Sequence, residues 1–241
     1  MTLKLVLEYN GAGFRGWAAQ PGLRTVEQTL RDALSTVLRT TPDLTVAGRT
    51  DTGVHALGQV VSFDADAQPE RLLRSLNGVL PDDVAVRSLE MAPAGFDARR
   101  DARSRTYRYR VLARPAPSPF ERNRALWWPQ VLDEGVLSQC AATLVGTHDF
   151  TAFTPTQTEH VRFERDVLGA EWGRAGDVLE FRIEADTFMR HMVRILVGTM
   201  LEVGAGRRDV SGFVALLAGA PRESAGPTAE PHGLFLERVS Y

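Results

Sequence analysis

One segment of the sequence places a carboxylate in a setting that suits catalysis. In residues 48–55, which we call the Asp51 loop, Asp51 stands between glycines with Arg49 and two threonines nearby. The flanking runs are typical of β segments, and glycine lets the backbone approach a ligand closely. We interpret the segment as a catalytic loop, although an ordinary hairpin turn with His55 at the surface explains the same residue types.

A second candidate region is strongly basic. Seven arginines fall within residues 99–114, although the whole chain has a net charge of −2. Because the planar guanidinium group suits phosphate contacts, Arg99, Arg100 and Arg108 are candidates for binding a polyanionic partner at one place. A solvated strand face in an arginine-rich protein is the alternative.

Within this basic region, residues 105–112 alternate as a β strand. The period of two places Tyr107 and Tyr109 on one face and Arg108 and Arg110 on the other. Stacking a base on an aromatic ring contributes about 1–3 kcal/mol, so one of these tyrosines could hold an RNA base. Packing of both rings in the core is the alternative interpretation.

Arg194 stands among apolar residues in a run, 188–203, that has the spacing of a helix. An arginine withdrawn from water needs a carboxylate or other hydrogen-bonding partners, because an unpaired buried charge is costly. We predict that Asp51 is this partner. A side chain that reaches to solvent along the helix surface is the alternative.

The order of elements predicts an α+β protein with two similar halves. Strand, helix, two strands, helix and strand follow one another over residues 1–103, and a similar order recurs over residues 104–241. This β-α-β-β-α-β order is typical of ferredoxin-like (RRM-like) halves with antiparallel sheets. We expect the two sheets to face a central cleft, with the Asp51 loop on the first half and the tyrosine strand and arginine helix on the second.

Other patterns exclude several classes of protein. No run approaches the roughly 20 apolar residues of a membrane span, and the N-terminus enters a strand pattern instead of a signal peptide, so we expect a cytoplasmic protein. The single cysteine, Cys140, excludes a disulfide framework. No phosphate-binding or dinucleotide-binding glycine motif is present, so we expect no nucleotide cofactor. A metal shared by Asp51 and His55 is a weak alternative.

Several motifs together resemble the tRNA pseudouridine synthase A (TruA) family over nearly the whole chain. They occupy residues 9–11 with 14–17, 48–51 with 54–56, 76–81, 105–109, 146–150, 191–194 with Gly198, and 232–234 with 239–241. The resemblance implies isomerisation of uridine to pseudouridine in the anticodon stem-loop of tRNA (tRNA positions 38–40). It also implies a homodimer that uses neither a cofactor nor a metal.

The resemblance further implies roles for individual residues. Asp51 would be the catalytic carboxylate, Arg194 its ion-pair partner, Tyr107 the aromatic residue against the target base, and Arg49 a support for the flipped-out nucleotide. The predicted substrate contacts are Tyr107, Arg49, Arg99, Arg100, Arg108 and His55. Ala18, Thr52 and Asp97 depart from the residues usual in the family, which are glutamine, alanine and histidine.

Two other functions remain as alternatives. A non-catalytic tRNA-binding module on the same fold would grip RNA while Asp51 only shapes a turn. An isolated carboxylate repels phosphate, however, and binding alone has no need of it. A metal-dependent hydrolase that uses Asp51 and His55 is the weaker alternative.

Overall fold

The computed structural model describes residues 1–158 and 160–241, which fold as two compact units. The first unit comprises Met1–Arg103 with Phe235–Tyr241, and the second comprises Ser104–Leu234. Both units contain helices and a mostly antiparallel sheet, so the predicted α+β class is confirmed. No helix among the described residues has the length and apolar character needed to cross a membrane.

The elements are numbered in chain order. The first unit begins with β1 (Thr2–Tyr9), α1 (Val26–Leu38), β2 (Thr45–Val46), β3 (His55–Asp64), α2 (Pro69–Asn77) and β4 (Val84–Met91). There follow β5 (Ser104–Ala113), β6 (Leu126–Trp128), α3 (Glu134–Thr143), β7 (Gly146–Asp149), β8 (Glu164–Ala175), β9 (Val178–Ala185), α4 (Met192–Gly204), α5 (Val210–Ala215) and β10 (Leu234–Ser240).

In the first unit, the sheet has the strand order β4-β1-β3-β10, and β2 pairs with β3. Strand β1 is antiparallel to both β3 and β4, whereas β10 runs parallel to β3. Leu3, Leu5 and Leu7 alternate with Lys4 and Val6, a spacing that predicts a strand, and the three leucines are buried on one face of β1. The last strand of the chain thus completes the sheet of the first unit, although it follows the second half in sequence.

The spacing of Thr25 and Gln28 is that of a capping box, which predicts a helix start, and α1 begins there. The hydroxyl of Thr25 accepts a hydrogen bond from the Gln28 N–H at 3.4 Å, which satisfies one of the donors left open at a helix start. The helix ends at Arg39, which adopts a left-handed conformation with φ 63°. Leu30 and Leu34, one turn apart, bury the inner face of this helix.

In the second unit, the sheet has the order β5-β9-β8-β7, with neighbouring strands antiparallel, and β6 pairs in parallel with β5. Helix α4 begins at Met192, four residues later than the predicted start. The difference arises because His191 adopts a left-handed conformation, φ 62°, which a right-handed helix cannot include. The short strands β6 and β7 have no predicted counterpart.

Candidate active site

The Asp51 loop connects β2 to β3 through a tight turn. The Val54 N–H donates to the Asp51 carbonyl at 3.1 Å, and Gly53 has φ 79°, a value that favours glycine. The Asp51 side chain is half-buried, whereas Arg49, two residues earlier, is exposed. The segment is therefore a turn in its backbone, and it presents a carboxylate that water still reaches.

A second segment, residues 11–17, packs against the Asp51 loop, and we call it the clamp. The Trp17 N–H donates to the Thr50 carbonyl at 3.0 Å, and the Gly53 N–H donates to the Phe14 carbonyl at 3.3 Å. These bonds lie on opposite sides of Asp51 in sequence. They fix the loop backbone at both ends of the turn.

Two glycines allow this close approach. Gly16 has φ 87°, and a Cβ added to it would lie 3.0 Å from the Thr50 carbonyl oxygen. A Cβ on Gly11 would collide with the carbonyl oxygen of Val54. Any larger side chain at either position would push the clamp away from the Asp51 loop.

His55 is buried at the end of the loop, with 2% of its surface exposed. The hairpin interpretation that placed it at the surface is therefore wrong for this residue. Its Nδ1 accepts a hydrogen bond from the Gly11 N–H at 3.0 Å, and its ring stacks on Phe235 with centroids 4.5 Å apart. The Nδ1 lone pair is thus already engaged within the first unit.

Among residues 1–158 and 160–241, no group of three or more His, Cys, Asp or Glu side chains is arranged to hold a metal.

On β5, the predicted alternation of faces is confirmed. Tyr109 is fully buried, and its hydroxyl donates to the Glu230 carbonyl at 2.7 Å; burial raises the pKa of Tyr109 above its usual value. Tyr107 keeps 9% of its surface exposed and packs edge-on against Phe188, with centroids 5.0 Å apart. Of the two tyrosines, Tyr107 is the one that solvent still reaches.

Arg194, in the first turn of α4, is half-buried and held by its own unit. Its Nε donates to the Ala229 carbonyl at 2.8 Å, and the Ala229 N–H donates back to the Arg194 carbonyl at 3.1 Å. One turn later, a Cβ on Gly198 would collide with the Pro227 carbonyl oxygen, so the helix and this peptide segment are in close contact. The guanidinium group is therefore fixed in orientation, and its pairing with Asp51 stays a prediction.

Arg108 and Arg110 of β5 have carboxylate partners that the sequence alone did not identify. Arg108 Nη1 lies 3.2 Å from Glu180 Oε1, and Arg110 Nε lies 3.4 Å from the same oxygen. Arg110 Nη1 also lies 2.6 Å from Glu121 Oε2. The alternation of β9, in which Glu180 stands between two buried apolar residues, was the signal that could have placed Glu180 opposite Arg110.

The arginines before β5 are arranged differently. Arg99 and Arg100 are exposed, and their backbone N–H groups both donate to Asp97 Oδ1, at 2.9 and 2.8 Å. The Arg100 side chain also pairs with Asp101 at 3.0 Å. Asp97, which departs from the usual family residue, therefore holds a turn that displays two arginine side chains to solvent.

Comparisons with known proteins identify the family. A family model described as tRNA pseudouridine synthase matches residues 140–241. The chain is 39% identical over 245 residues to tRNA pseudouridine synthase A of Bacillus pumilus (strain SAFR-032), covering 100% of this chain and 99% of the relative. The chain belongs to the tRNA pseudouridine synthase A family. It is also 42% identical over 243 residues to the Myxococcus xanthus protein of that name, covering 99% of this chain and 91% of the relative.

Membership in this family makes the protein a pseudouridine synthase, an enzyme of the isomerase class. Among solved structures, a chain in the crystal structure of a Cbf5-Nop10-Gar1 complex is similar with a TM-score of 0.34 and 13% identity, covering 82% of this chain and 54% of that one. A similarity at that level carries no argument about fold or function. The assignment rests on the full-length relatives.

Proposed function

We propose that this pseudouridine synthase converts uridine to pseudouridine in the anticodon stem-loop of tRNA, at tRNA positions 38–40. The full-length similarity to proteins named tRNA pseudouridine synthase A supports a tRNA substrate. The observation that carries the catalytic part of the proposal is the Asp51 loop, whose backbone is fixed on both sides of a half-buried carboxylate.

The chemistry requires a carboxylate of this kind. The enzyme must break the N-glycosidic bond of uridine, turn the uracil and join it again through C5. Positive character develops on the ribose during cleavage, as in glycoside hydrolysis. A carboxylate beside the ribose stabilises that charge, adds to C1′ or removes the C2′ proton. We propose Asp51 for this role, with Arg194 as its ion-pair partner.

The target uridine must also leave its stack or base pair, which costs a few kcal/mol. We propose that Tyr107 packs against the flipped base and that Arg49 supports the displaced nucleotide. Their exposure supports these roles, because Arg49 is exposed beside Asp51 and Tyr107 is the more accessible tyrosine of β5. Binding energy from these contacts would offset the cost of flipping.

For the remaining substrate contacts, we propose two classes. Arg99 and Arg100 would bind phosphates through exposed side chains, with Arg100 exchanging its exposed partner Asp101 for phosphate. Arg108 would contact phosphate by exchange with Glu180, its partner in the free protein. His55 would assist substrate binding by holding the Asp51 loop, since its ring is buried beneath neighbouring backbone and Phe235.

We also propose the assembly that the family resemblance implies. The protein would be a cytoplasmic homodimer that needs neither a cofactor nor a metal. Its two halves would be ferredoxin-like and would face a central cleft. A monomeric mass in light scattering, at concentrations where the enzyme is active, would contradict the homodimer.

The proposed substrate site is tested by mapping pseudouridine in an unmodified tRNA transcript. The enzyme is incubated with transcripts that carry uridine at positions 38, 39 or 40, and pseudouridine is located by carbodiimide adducts and primer extension. We expect new stops at those positions and none in transcripts with cytidine there. Stops only elsewhere would refute the anticodon assignment. Tight tRNA binding without any stop would favour the non-catalytic tRNA-binding module.

A further inference from the structure

A buried chain of polar side chains lies directly against the Asp51 loop. The Tyr9 hydroxyl, at the end of β1, is 2.6 Å from Thr50 Oγ1. Gln59, on β3, donates from Nε2 to the Gly48 carbonyl at 2.7 Å and lies 3.4 Å from the Tyr9 hydroxyl. Tyr9 is 4% exposed, Thr50 6% and Gln59 0%. The three side chains thus connect two strands to the loop residues on the N-terminal side of Asp51.

The hydrogen bonds of these three side chains are all made only when the Asp51 loop is in the position described. A buried amide or hydroxyl group costs stability unless it is hydrogen-bonded. Gln59 Oε1 accepts a hydrogen bond from the Val60 N–H at 3.1 Å. The amide nitrogen, Nε2, is therefore the atom of this side chain that depends on the Gly48 carbonyl of the loop. If the loop moved, the Gln59 amide and the Tyr9 hydroxyl would lose partners in a site that water does not reach.

The protonation state of Tyr9 also favours these hydrogen bonds to the Asp51 loop. Burial raises the pKa of Tyr9 to about 12, although hydrogen bonds from Thr50 and Gln59 act in the opposite direction. The phenol therefore keeps its proton at neutral pH and remains able to donate a hydrogen bond. None of the three side chains, Tyr9, Thr50 and Gln59, changes protonation state near neutral pH.

We propose that Tyr9 and Gln59 are positioning residues that hold Thr50, and with it the Asp51 carboxylate, in the geometry that the reaction needs. This inference rests on the proposed function, in which Asp51 acts at the ribose. Thr50 is adjacent to Asp51, and its carbonyl is already held by the Trp17 N–H at 3.0 Å. The hydroxyl contact from Tyr9 adds a second point of attachment, on the side chain, and so restricts rotation of the peptide that leads into Asp51.

The size of the expected effect follows from the precision that catalysis requires. A displacement of about 1 Å in a reacting group lowers the rate by about 100-fold. Tyr9→Phe removes one hydroxyl and leaves the ring in the core. We expect kcat to fall by about 10- to 100-fold, whereas KM for tRNA changes less than about twofold, because Tyr9 is only 4% exposed and offers almost no surface to RNA.

A purely structural role would give a different result, and Tyr241→Phe is the matched control. The Tyr241 hydroxyl also donates within the first unit, to the Ala98 carbonyl at 2.8 Å, but it takes no part in the chain beside the Asp51 loop. Each variant loses one tyrosine hydroxyl: Tyr9→Phe loses the contacts with Thr50 and Gln59, and Tyr241→Phe loses the hydrogen bond to Ala98. If Tyr9→Phe lowers kcat at saturating tRNA no more than Tyr241→Phe does, the positioning role is refuted.

Thr50 provides the conservative comparison. Thr50→Val removes the hydroxyl but keeps the branched shape, and we expect a loss of kcat similar to that of Tyr9→Phe. Thr50→Ser keeps the hydroxyl and should retain most of the kcat that Thr50→Val loses. Equal losses for the serine and valine variants would show that the shape of Thr50, and not its hydrogen bond, matters. That result would overturn the proposal.

A second measurement does not depend on activity. Amide hydrogen exchange of a peptide that covers residues 48–55 is compared in the full-length wild type, Tyr9→Phe and Tyr241→Phe. We expect exchange in this peptide to be about 10-fold faster only in Tyr9→Phe, since local opening becomes less costly when the hydrogen bond between Tyr9 and Thr50 is lost. Unchanged exchange would overturn the proposal. A wild type that forms no pseudouridine would instead refute the proposed function, and the exchange comparison would still decide whether Tyr9 holds the loop.

Discussion

At the scale of single residues, the position of Asp51 is determined by backbone hydrogen bonds to the clamp, which lies more than thirty residues earlier in the sequence. The peptides on either side are hydrogen-bonded to the clamp through Trp17 and Phe14, and Gly16 makes the approach close enough for those bonds. A group held in this way needs little reorganisation when a substrate arrives. The catalytic role proposed for Asp51 therefore depends on residues that do no chemistry themselves.

We expect Gly16→Ala to reduce both stability and activity. Its φ of 87° would cost an alanine about 1–2 kcal/mol, and the new Cβ would stand 3.0 Å from the Thr50 carbonyl oxygen. Gly22→Ala is the matched control, because Gly22 has φ 73° but no atom within 4 Å of its added Cβ. Urea unfolding and kcat are measured for both. Equal losses in the two variants would mean that contact with the Asp51 loop is unimportant.

We expect Arg194→Ala to harm catalysis more than tRNA binding. Its guanidinium group is fixed by the Ala229 carbonyl. As the proposed ion-pair partner of Asp51 it would act as a fixed charge, and loss of such a charge lowers kcat by about 100-fold or more. Arg174→Ala removes an arginine of the same unit that pairs with Glu134 at an exposed position, and it should have little effect. The test compares kcat with the Kd for tRNA. Equal losses in both for Arg194→Ala would contradict a role in catalysis.

At the scale of elements, the positions of helices and strands could be predicted from local sequence patterns, whereas contacts between residues far apart in sequence could not. The runs at residues 84–91 and 178–185 predict strands, and the pair of Thr25 and Gln28 predicts a helix start. Strands β4 and β9 and the start of α1 lie at those positions, because periodicity and capping are properties of neighbouring residues. The contacts that hold the Asp51 loop join residues about 40 apart, such as Tyr9 and Thr50, and no local pattern contains them. His55 illustrates the same limit, since its burial depends on Phe235 at the other end of the chain.

On the pair of strands β5 and β9, one carboxylate offsets part of the positive charge of several arginines. Glu180 lies within 3.4 Å of three arginines, Arg108, Arg110 and Arg182. A phosphate that bound these arginines would have to displace this carboxylate. The carboxylate therefore competes with any phosphate for these side chains.

We expect Glu180→Gln to strengthen tRNA binding and to increase its salt dependence. Each additional phosphate contact steepens the slope of log K against log salt concentration by about 0.9 on duplex nucleic acid and about 0.7 on single strands. Glu134→Gln, which removes a carboxylate from an exposed pair with Arg174, is the control and should leave the slope unchanged. Binding is measured by filter retention at several salt concentrations. An unchanged slope for Glu180→Gln would mean that the arginines of β5 do not contact tRNA.

At the scale of the whole molecule, charge is distributed unevenly along a chain whose net charge is only −2. Arg99, Arg100 and Arg103, just before β5, are exposed, whereas Arg108 and Arg110 within β5 are half-buried and paired with carboxylates. A protein of this kind binds a polyanion at one place instead of attracting nucleic acid over its entire surface. That pattern agrees with a tRNA substrate that is bound at one place on the protein.

Stability of the folded protein should fall at alkaline pH. Burial raises the pKa of Tyr9 to about 12 from a model-compound value of 10.0, so the folded state holds this proton more tightly than the unfolded chain does. The contribution of Tyr9 is complete below about pH 10 and is lost as pH rises towards 12. We expect Tyr9 to account for a fall of up to about 1.4 kcal/mol per pH unit in that window.

The measurement is urea unfolding at pH 9, 10 and 11 for the wild type and Tyr9→Phe. The variant is less stable at pH 9 but should lose less stability over the series, because it has no phenol to titrate at this position. Tyr109 and all other groups are common to both proteins. Parallel pH dependences would contradict the assignment of a raised pKa to Tyr9.

The most direct test of the central claim is tritium release from unmodified tRNA labelled at uracil C5, since joining the base through C5 displaces that hydrogen. Wild type is compared with Asp51→Asn, and tRNA binding of both is measured by filter retention. We predict release by the wild type and none by Asp51→Asn, with binding retained. Release by both proteins would contradict the role of Asp51, and binding without release by either would contradict the proposed isomerisation.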